Sequence, residues 1–380
     1  MKYLFIVQGE GRGHLTQALS LKEMLQRSGH EVTEVMVGIS NNRHLPQFFR
    51  EQIGTDITTF ESVNFLPTAQ NRRSKLLRSA VYNFARTGAY LRTIRYIHDK
   101  INASNADVVV NFYEFLTGLT YAICRPDKPY FCIGHQYVFL HRDFCAPDIN
   151  RRSLFLLRLF TRLTSLNCQR RLALSFRDMN PDDKHNISVV PPLLRRDILN
   201  LEPEQGNYIL GYMVNAGFAT EMQRFHEANT TVPLHVFWDK GDEPTTKQVD
   251  DTLTFHQVDD KLFLSYMRSC SAYASTAGFE SICEAMYLGK PILMVPAHAE
   301  QDCNAADAVM AGAGIAADTF DFGKLAEAAQ SFKPNGEFPQ WARRAEARIV
   351  PLVRPQSMQP SGWAAHVLRA IVARLLATPV

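Results

Sequence analysis

Long apolar runs are missing from this 380-residue chain. No stretch approaches the ~20 residues that a membrane-spanning helix needs. The "YLFIV" near the N-terminus is too short for the apolar region of a signal peptide and is expected to be a first strand. C-x-x-C pairs are missing as well. Seven cysteines, an odd number at irregular spacing, suit the reduced thiols of a cytoplasmic protein, and neither a disulfide framework nor a zinc site is indicated. Low-complexity segments and short repeats are also lacking. A last absence concerns cofactor choice. The "GEGRGH" loop has G-x-G-x-G-H spacing where a dinucleotide fold has G-x-G-x-x-G, and the second strand ends at "VMVGIS" without the expected acid. That argues against a nicotinamide cofactor.

What is present is the composition of an ordinary globular protein, 46% apolar and 21% charged, at a length for which two domains are the default. The net charge of +3 hides an asymmetry: residues 1–200 carry 27 Lys+Arg against 17 Asp+Glu, which leaves the remainder acidic. A basic half suits an anionic partner, and solvated surface charge accounts for it equally well.

Strand-like and helix-like stretches alternate through the first half: "KYLFIV", "LTQALSLKEMLQRSG", "HEVTEVMVG", "ADVVVNF", "PYFCIGH" and "ISVVPP". Such alternation implies βαβ units and a parallel sheet covered on both faces. "VVPPLLRRDILNLEPEQGN" has three prolines near its start and middle and little periodicity, as a linker would. The alternation then restarts, from "NYILGYMV" through "PILMVP". The expected organisation is a first domain over 1–190, a linker over 191–205, a second domain over 206–358, and an amphipathic helix over 359–380 with Ser361 as its N-cap. Two α/β domains leave a cleft between the carboxyl ends of two sheets, where ligands of open sheets bind.

The loop containing Gly11, Arg12 and Gly13 lets backbone amides approach an anion at the start of a helix. His14 begins that helix. The helix dipole favours its neutral form, which a general base requires, although a structural capping histidine is the competing explanation. An orienting carboxylate is expected from Glu114, just beyond "VVVNF"; Asp107 lies at the other end of that strand. The most informative stretch is "STAGFESICEAMYLGKPILMVPAHAEQDCNA". It predicts a small-residue turn including Thr276, then a helix that opens with the free amides of Gly278, Phe279, Glu280 and Ser281, suited to a diphosphate. Glu284, about one turn on, is placed to accept both hydroxyls of a ribose, and Glu300 and Gln301 follow the next strand.

These motifs resemble the donor half of GT-B glycosyltransferases, with likenesses to the peptidoglycan N-acetylglucosaminyltransferase and to the UDP-glycosyltransferases. The resemblance rests on Gly9 to Leu19 and on 258–306. It implies two Rossmann-like domains, with the last helix crossing back to the first. It further implies diphosphate at Gly278 to Ser281, ribose at Glu284, the base edge at Gln257 and Val258, transferred sugar at Glu300 and Gln301, and His14 as base in an inverting, metal-independent transfer from a UDP-sugar. The chain departs from the plant and animal pattern at Thr276, where those enzymes carry histidine. Phosphate charge then falls to amides, hydroxyls, and Arg12 or Lys240, with Asn215 and Gly217 in place of a second glycine loop.

Two other functions use the same features: a nucleotide-sugar hydrolase or epimerase, and a non-catalytic nucleotide-sugar binding subunit. The expected partners are a nucleotide sugar and a hydroxyl acceptor, with no nucleic acid, no metal and no cofactor beyond the co-substrate. His135, with Gln136 and His141 near it, is a candidate acceptor-pocket residue. The arginine-rich stretches at 71–100 and 150–176 are either ordinary flanking helices or a peripheral contact with the inner face of an anionic membrane.

Overall fold

The computed structural model describes residues 1–40, 44–63, 86–213, 218–228, 231–240 and 243–355. Asn215, Gly217, much of the first arginine-rich stretch and the helix expected at 359–380 lie outside the described residues.

The first half contains β1 (Lys2–Gln8), α1 (Arg12–Arg27), β2 (Glu31–Ile39), α2 (Gln47–Ile53), β3 (Ile57–Glu61), α3 (Thr87–Ala103), β4 (Val108–Phe112), α4 (Phe115–Ile123), β5 (Tyr130–Gly134), α5 (Arg151–Leu163), β6 (Arg170–Leu174) and β7 (Ile187–Val190). Its sheet is parallel, in the order β3-β2-β1-β4-β5-β6-β7. The run Tyr3, Leu4, Phe5, Ile6 and Val7 is fully buried, because β1 sits mid-sheet with helices on both faces. The chain reverses direction through the sheet between β1 and β4. Their carboxyl ends therefore open a crevice, and α1 and α4 start there.

After one helical turn, α6 (Arg196–Leu199), the pattern repeats with β8 (Ile209–Met213), α7 (Ala219–Ala228), β9 (Leu234–Trp238), β10 (Thr246–Gln248), β11 (Leu253–Gln257), α8 (Asp260–Ser269), β12 (Ala272–Ser275), α9 (Phe279–Tyr287), β13 (Ile292–Met294), α10 (Ala299–Met310) and β14 (Gly314–Ala316). The order is β10-β11-β9-β8-β12-β13-β14, parallel except for the edge strand β10. Here the reversal lies between β8 and β12, and α9 starts at it.

Among the described residues three helices follow, α11 (Phe322–Ser331), α12 (Phe338–Arg343) and α13 (Ala345–Ile349). The last two bring the chain back to the first half. The Trp341 indole donates to Ser175 O at 2.9 Å, Tyr3 OH to Val353 O at 3.4 Å, and Arg27 pairs with Glu346 at 2.8 Å. This return is made within the stretch assigned from sequence to the second domain.

Candidate active site

The two helix N-termini meet across the cleft. Gly11 is the N-cap of α1 and Gly278 the N-cap of α9; both have extended backbone and neither has a side-chain cap, so first-turn amides are left open at both. Tyr113 and Ala277, beside the starts of α4 and α9, hold left-handed φ values of 60°. Non-glycine residues in that region mark loops fixed by their surroundings, and Asn304 Nδ2 holds the second loop through Ala277 O at 3.1 Å.

His14 is buried in the first turn of α1, its ring stacked on Tyr113 with centroids 5.6 Å apart. Nδ1 lies 3.2 Å from Gln17 Oε1, and Nε2 lies 3.3 Å from Gln136 Nε2. Both amide orientations are set from the opposite half. Gln17 Nε2 donates to the Glu280 carboxylate, and Gln136 Nε2 to Glu300 Oε1 at 3.1 Å. A carboxylate accepts, so each glutamine turns its nitrogen towards one. Gln17 then presents oxygen to Nδ1, Gln136 presents N–H to Nε2, and the proton sits on Nδ1 with the lone pair on Nε2. Burial, reinforced by His135, pulls the imidazole down to about 4, so it is neutral at physiological pH.

Glu114 does not orient His14. Its carboxylate caps α4, accepting from Thr117 N at 2.7 Å and Thr117 Oγ1 at 2.8 Å, and it also accepts from Ser62 Oγ. An N-cap acceptor fully enclosed among these donors has no reach left towards the cleft, and burial raises its pKa. Asp107, as expected from its end of β4, is remote: it accepts from Lys2 N at 2.8 Å.

The remaining candidates divide. His135 is brought to the cleft; its ring stacks on Phe279 at 4.6 Å and 6°, and Nε2 lies 3.3 Å from Glu300. Burial alone would raise the Glu300 pKa, but the close approach of His135 outweighs it, leaving the group at about 2. Thr276 is buried with no hydrogen-bond partner for Oγ1. Ser281 Oγ turns back to Gly278 O at 3.2 Å. Arg12 pairs with Asp260 across the cleft at 2.7 Å and lies over the Phe48 ring at 4.4 Å. Gly13 is packed so tightly that a Cβ there would meet Glu280 Oε2.

Others are committed locally. Gln301 Oε1 accepts from Ala297 N at 2.8 Å. The Gln257 side chain knits the Lys240 turn, accepting from Lys240 N at 3.3 Å and donating to Glu243 O at 3.0 Å, and Val258 N donates to Trp238 O at 3.2 Å. Lys240 pairs with Glu243 at 2.9 Å. His141 donates to Asn180 O at 2.9 Å, so it belongs to the loop packing beside the site.

Sequence reasoning missed Gln17 and Arg195. Gln17 lies three residues after His14 and hence on the same helix face, a signal that was available. Arg195 precedes α6 between the halves, and its Nε donates to Glu284 Oε1 at 2.7 Å.

Two such α/β halves, facing each other at their topological switch points, define the GT-B architecture. The fold is shared with the glycotransferase of kitacinnamycin (TM-score 0.60, 14% identity, 98% of each chain covered). It is shared also with UGT2 of Phytolacca americana, solved with UDP-2-fluoro-glucose and pterostilbene (0.57, 12%, 98% of each), and with the calicheamicin glycosyltransferase CalG4 (0.55, 14%, 99% of each). No curated protein matches the chain in sequence. The family model for glycosyl transferase family 1 matches residues 1–331, and the chain belongs to that family. It is a glycosyltransferase.

Proposed function

We propose that the protein moves a sugar from a nucleoside diphosphate sugar, a UDP-sugar, to a hydroxyl acceptor, with inversion at the anomeric carbon. The observation that carries this reading is the facing pair of helix N-termini, with neutral His14 on α1, open amides at the start of α9 and the unpartnered Thr276 hydroxyl in the turn before it.

In this reading the acceptor hydroxyl displaces the Gln136 N–H from His14 Nε2, which takes the hydroxyl proton, and the oxygen attacks the anomeric carbon. The bond from that carbon to the diphosphate breaks on the opposite face, and its electron pair stays on the leaving oxygen. The amides of Gly278, Phe279, Glu280 and Ser281 and the dipole of α9 stabilise that charge, so the step needs no metal. Glu284 accepts from the ribose, and Glu300, beside His135 and Gln136, accepts from a hydroxyl of the transferred sugar. The UDP-sugar in the Phytolacca enzyme supports the nucleotide assignment.

The acceptor side faces the first half, and α5 bears on it. Phe155, Leu156 and Leu159 are exposed, Arg151, Arg152 and Arg162 are exposed with them, and the helix has no acidic residue. That pattern supports peripheral contact with an anionic membrane on the cytoplasmic face, and with it a lipid-linked or envelope glycan acceptor.

The test is a thermal-unfolding series with UDP, dTDP, GDP, CDP and NAD at equal concentration. A ligand at 100 times its Kd adds about 2.7 kcal/mol, which a midpoint reads easily. A shift with UDP supports the proposal. A shift with NAD and none with the nucleoside diphosphates overturns it.

A further inference from the structure

Arg195 belongs to no motif. It lies in the stretch between the two sheets, as the N-cap of the one-turn helix α6, and its Nε donates to Glu284 Oε1 at 2.7 Å. Glu284, in the second turn of α9, is 2% exposed. A carboxylate buried to that degree needs compensating donors, and for Glu284 the donor is a cation. Burial alone would weaken the Arg195 charge, but Glu284 and Asp260 outweigh it and keep the guanidinium charged.

The manner of the contact matters. Arg195 approaches through Nε on one carboxylate oxygen, so the bidentate fork that would occupy both is not formed. A carboxylate offers about four lone-pair positions. The pair therefore holds Glu284 in one orientation through Oε1 and leaves Oε2 with acceptor capacity. A free glutamate would sample several rotamers and lose that freedom on binding.

This step rests on the donor reading above, in which Glu284 takes the ribose. We infer that Arg195 is the positioning residue for that carboxylate: anchored on one oxygen from the inter-sheet linker, Glu284 presents the other to the 2′- and 3′-hydroxyls, and the site selects ribonucleoside over 2′-deoxyribonucleoside diphosphates. The linker thus takes part in donor choice, and UDP is distinguished from dTDP at the sugar as well as at the base.

The experiment is calorimetric titration of the full chain with UDP and with 2′-deoxy-UDP, for the wild type, Arg195→Ala, Arg195→Lys and Glu284→Gln. A hydroxyl hydrogen-bonded to a charged group predicts a wild-type preference for UDP of roughly ten- to a hundredfold. Arg195→Ala and Glu284→Gln should bring the two ligands to within about threefold of each other, and Arg195→Lys should recover part of the preference. General loosening of the site would weaken both ligands together and leave their ratio alone. A wild-type preference that survives Arg195→Ala in a chain with an unchanged thermal midpoint overturns the inference. Equal binding of the two ligands by the wild type overturns it as well, while leaving UDP as the donor nucleotide. Failure of UDP, dTDP, GDP and CDP alike to bind the wild type sinks the donor reading, and this inference with it.

Discussion

Gln17 on α1 and Glu280 on α9, 263 residues apart in sequence, are joined by a hydrogen bond across the cleft, and that bond sets which face of the Gln17 amide meets His14. The tautomer of His14 is thereby controlled from the half of the molecule that does not carry it. Gln17→Leu should lower kcat about tenfold while leaving the Kd for UDP within about twofold, because the imidazole loses its orientation whereas Glu280 loses a partner only at its carboxylate and keeps its backbone amide at the start of α9. His14→Ala should lose roughly 10²- to 10⁴-fold in kcat with UDP binding retained. Steady-state kinetics alongside UDP titration check both; a Gln17→Leu enzyme with wild-type kcat refutes the orienting role.

Two glycines should respond differently to alanine. A Cβ on Gly13 would stand 2.3 Å from Glu280 Oε2, the tip of a side chain that can swing away. Gly13→Ala should therefore keep its thermal midpoint, aided by alanine's better helix propensity, and copy the kinetic defect of Gln17→Leu. A Cβ on Gly118 would stand 2.1 Å from Leu163 O, which is backbone at the end of α5. That cannot yield cheaply, and Gly118→Ala should lose about 1–3 kcal/mol in a denaturant melt.

Thr276→Val tests whether a buried hydroxyl is held in reserve for phosphate. An unpartnered hydroxyl in the interior is a cost, so valine should stabilise the nucleotide-free protein by about 1 kcal/mol and weaken UDP roughly tenfold. A variant that is stabilised and binds UDP as well as the wild type removes Thr276 from the site.

Acid should destabilise the fold through its buried histidines. Burial, with His135 near His14 and His235 near His256, holds both imidazoles at about 4. Unfolded, each titrates near 6.5, so between these values the unfolded chain binds protons that the folded chain refuses. The sign follows: stability is flat above about pH 6.5 and falls as pH drops towards 4. Replacing His256 with glutamine should flatten that slope, read as unfolding midpoints across the range. The same value for His14 places the acid limb of kcat/KM near 4, well below that of an ordinary imidazole.

The exposed face of α5 predicts that the protein sediments with vesicles containing phosphatidylglycerol and much less with neutral phosphatidylcholine vesicles. Phe155→Ser combined with Leu159→Ser should abolish that co-sedimentation and leave UDP binding intact. Equal recovery in the supernatant for variant and wild type counts against the membrane reading.

The legible part of the molecule was the part written in short-range pattern. Apolar runs such as "YLFIV" and "VVVNF" became the central strands β1 and β4, and the turn before Phe279 became the start of α9. Glu114 shows where such reading stops. Its place at the sheet edge was legible, whereas its commitment to Ser62 and Thr117 depended on how the end of β3 packs beside α4. Arg195 was harder still. A polar residue in a linker carries no periodic signal, and its partner lies 89 residues away on a helix that the linker itself helps to place.

The return of the chain to its first half by way of Trp341 and Val353 has a mechanical consequence. A body tethered at one point swivels freely, whereas one tethered at two turns about the line that joins them. The two crossings, near Arg195 and near Trp341, reduce the relative movement of the halves to a door's single axis. A door of that kind, opened for exchange of substrate, would swing shut on the same register each time. Contacts as narrow as Gln17 with Glu280 would then be found again on every closure without a search.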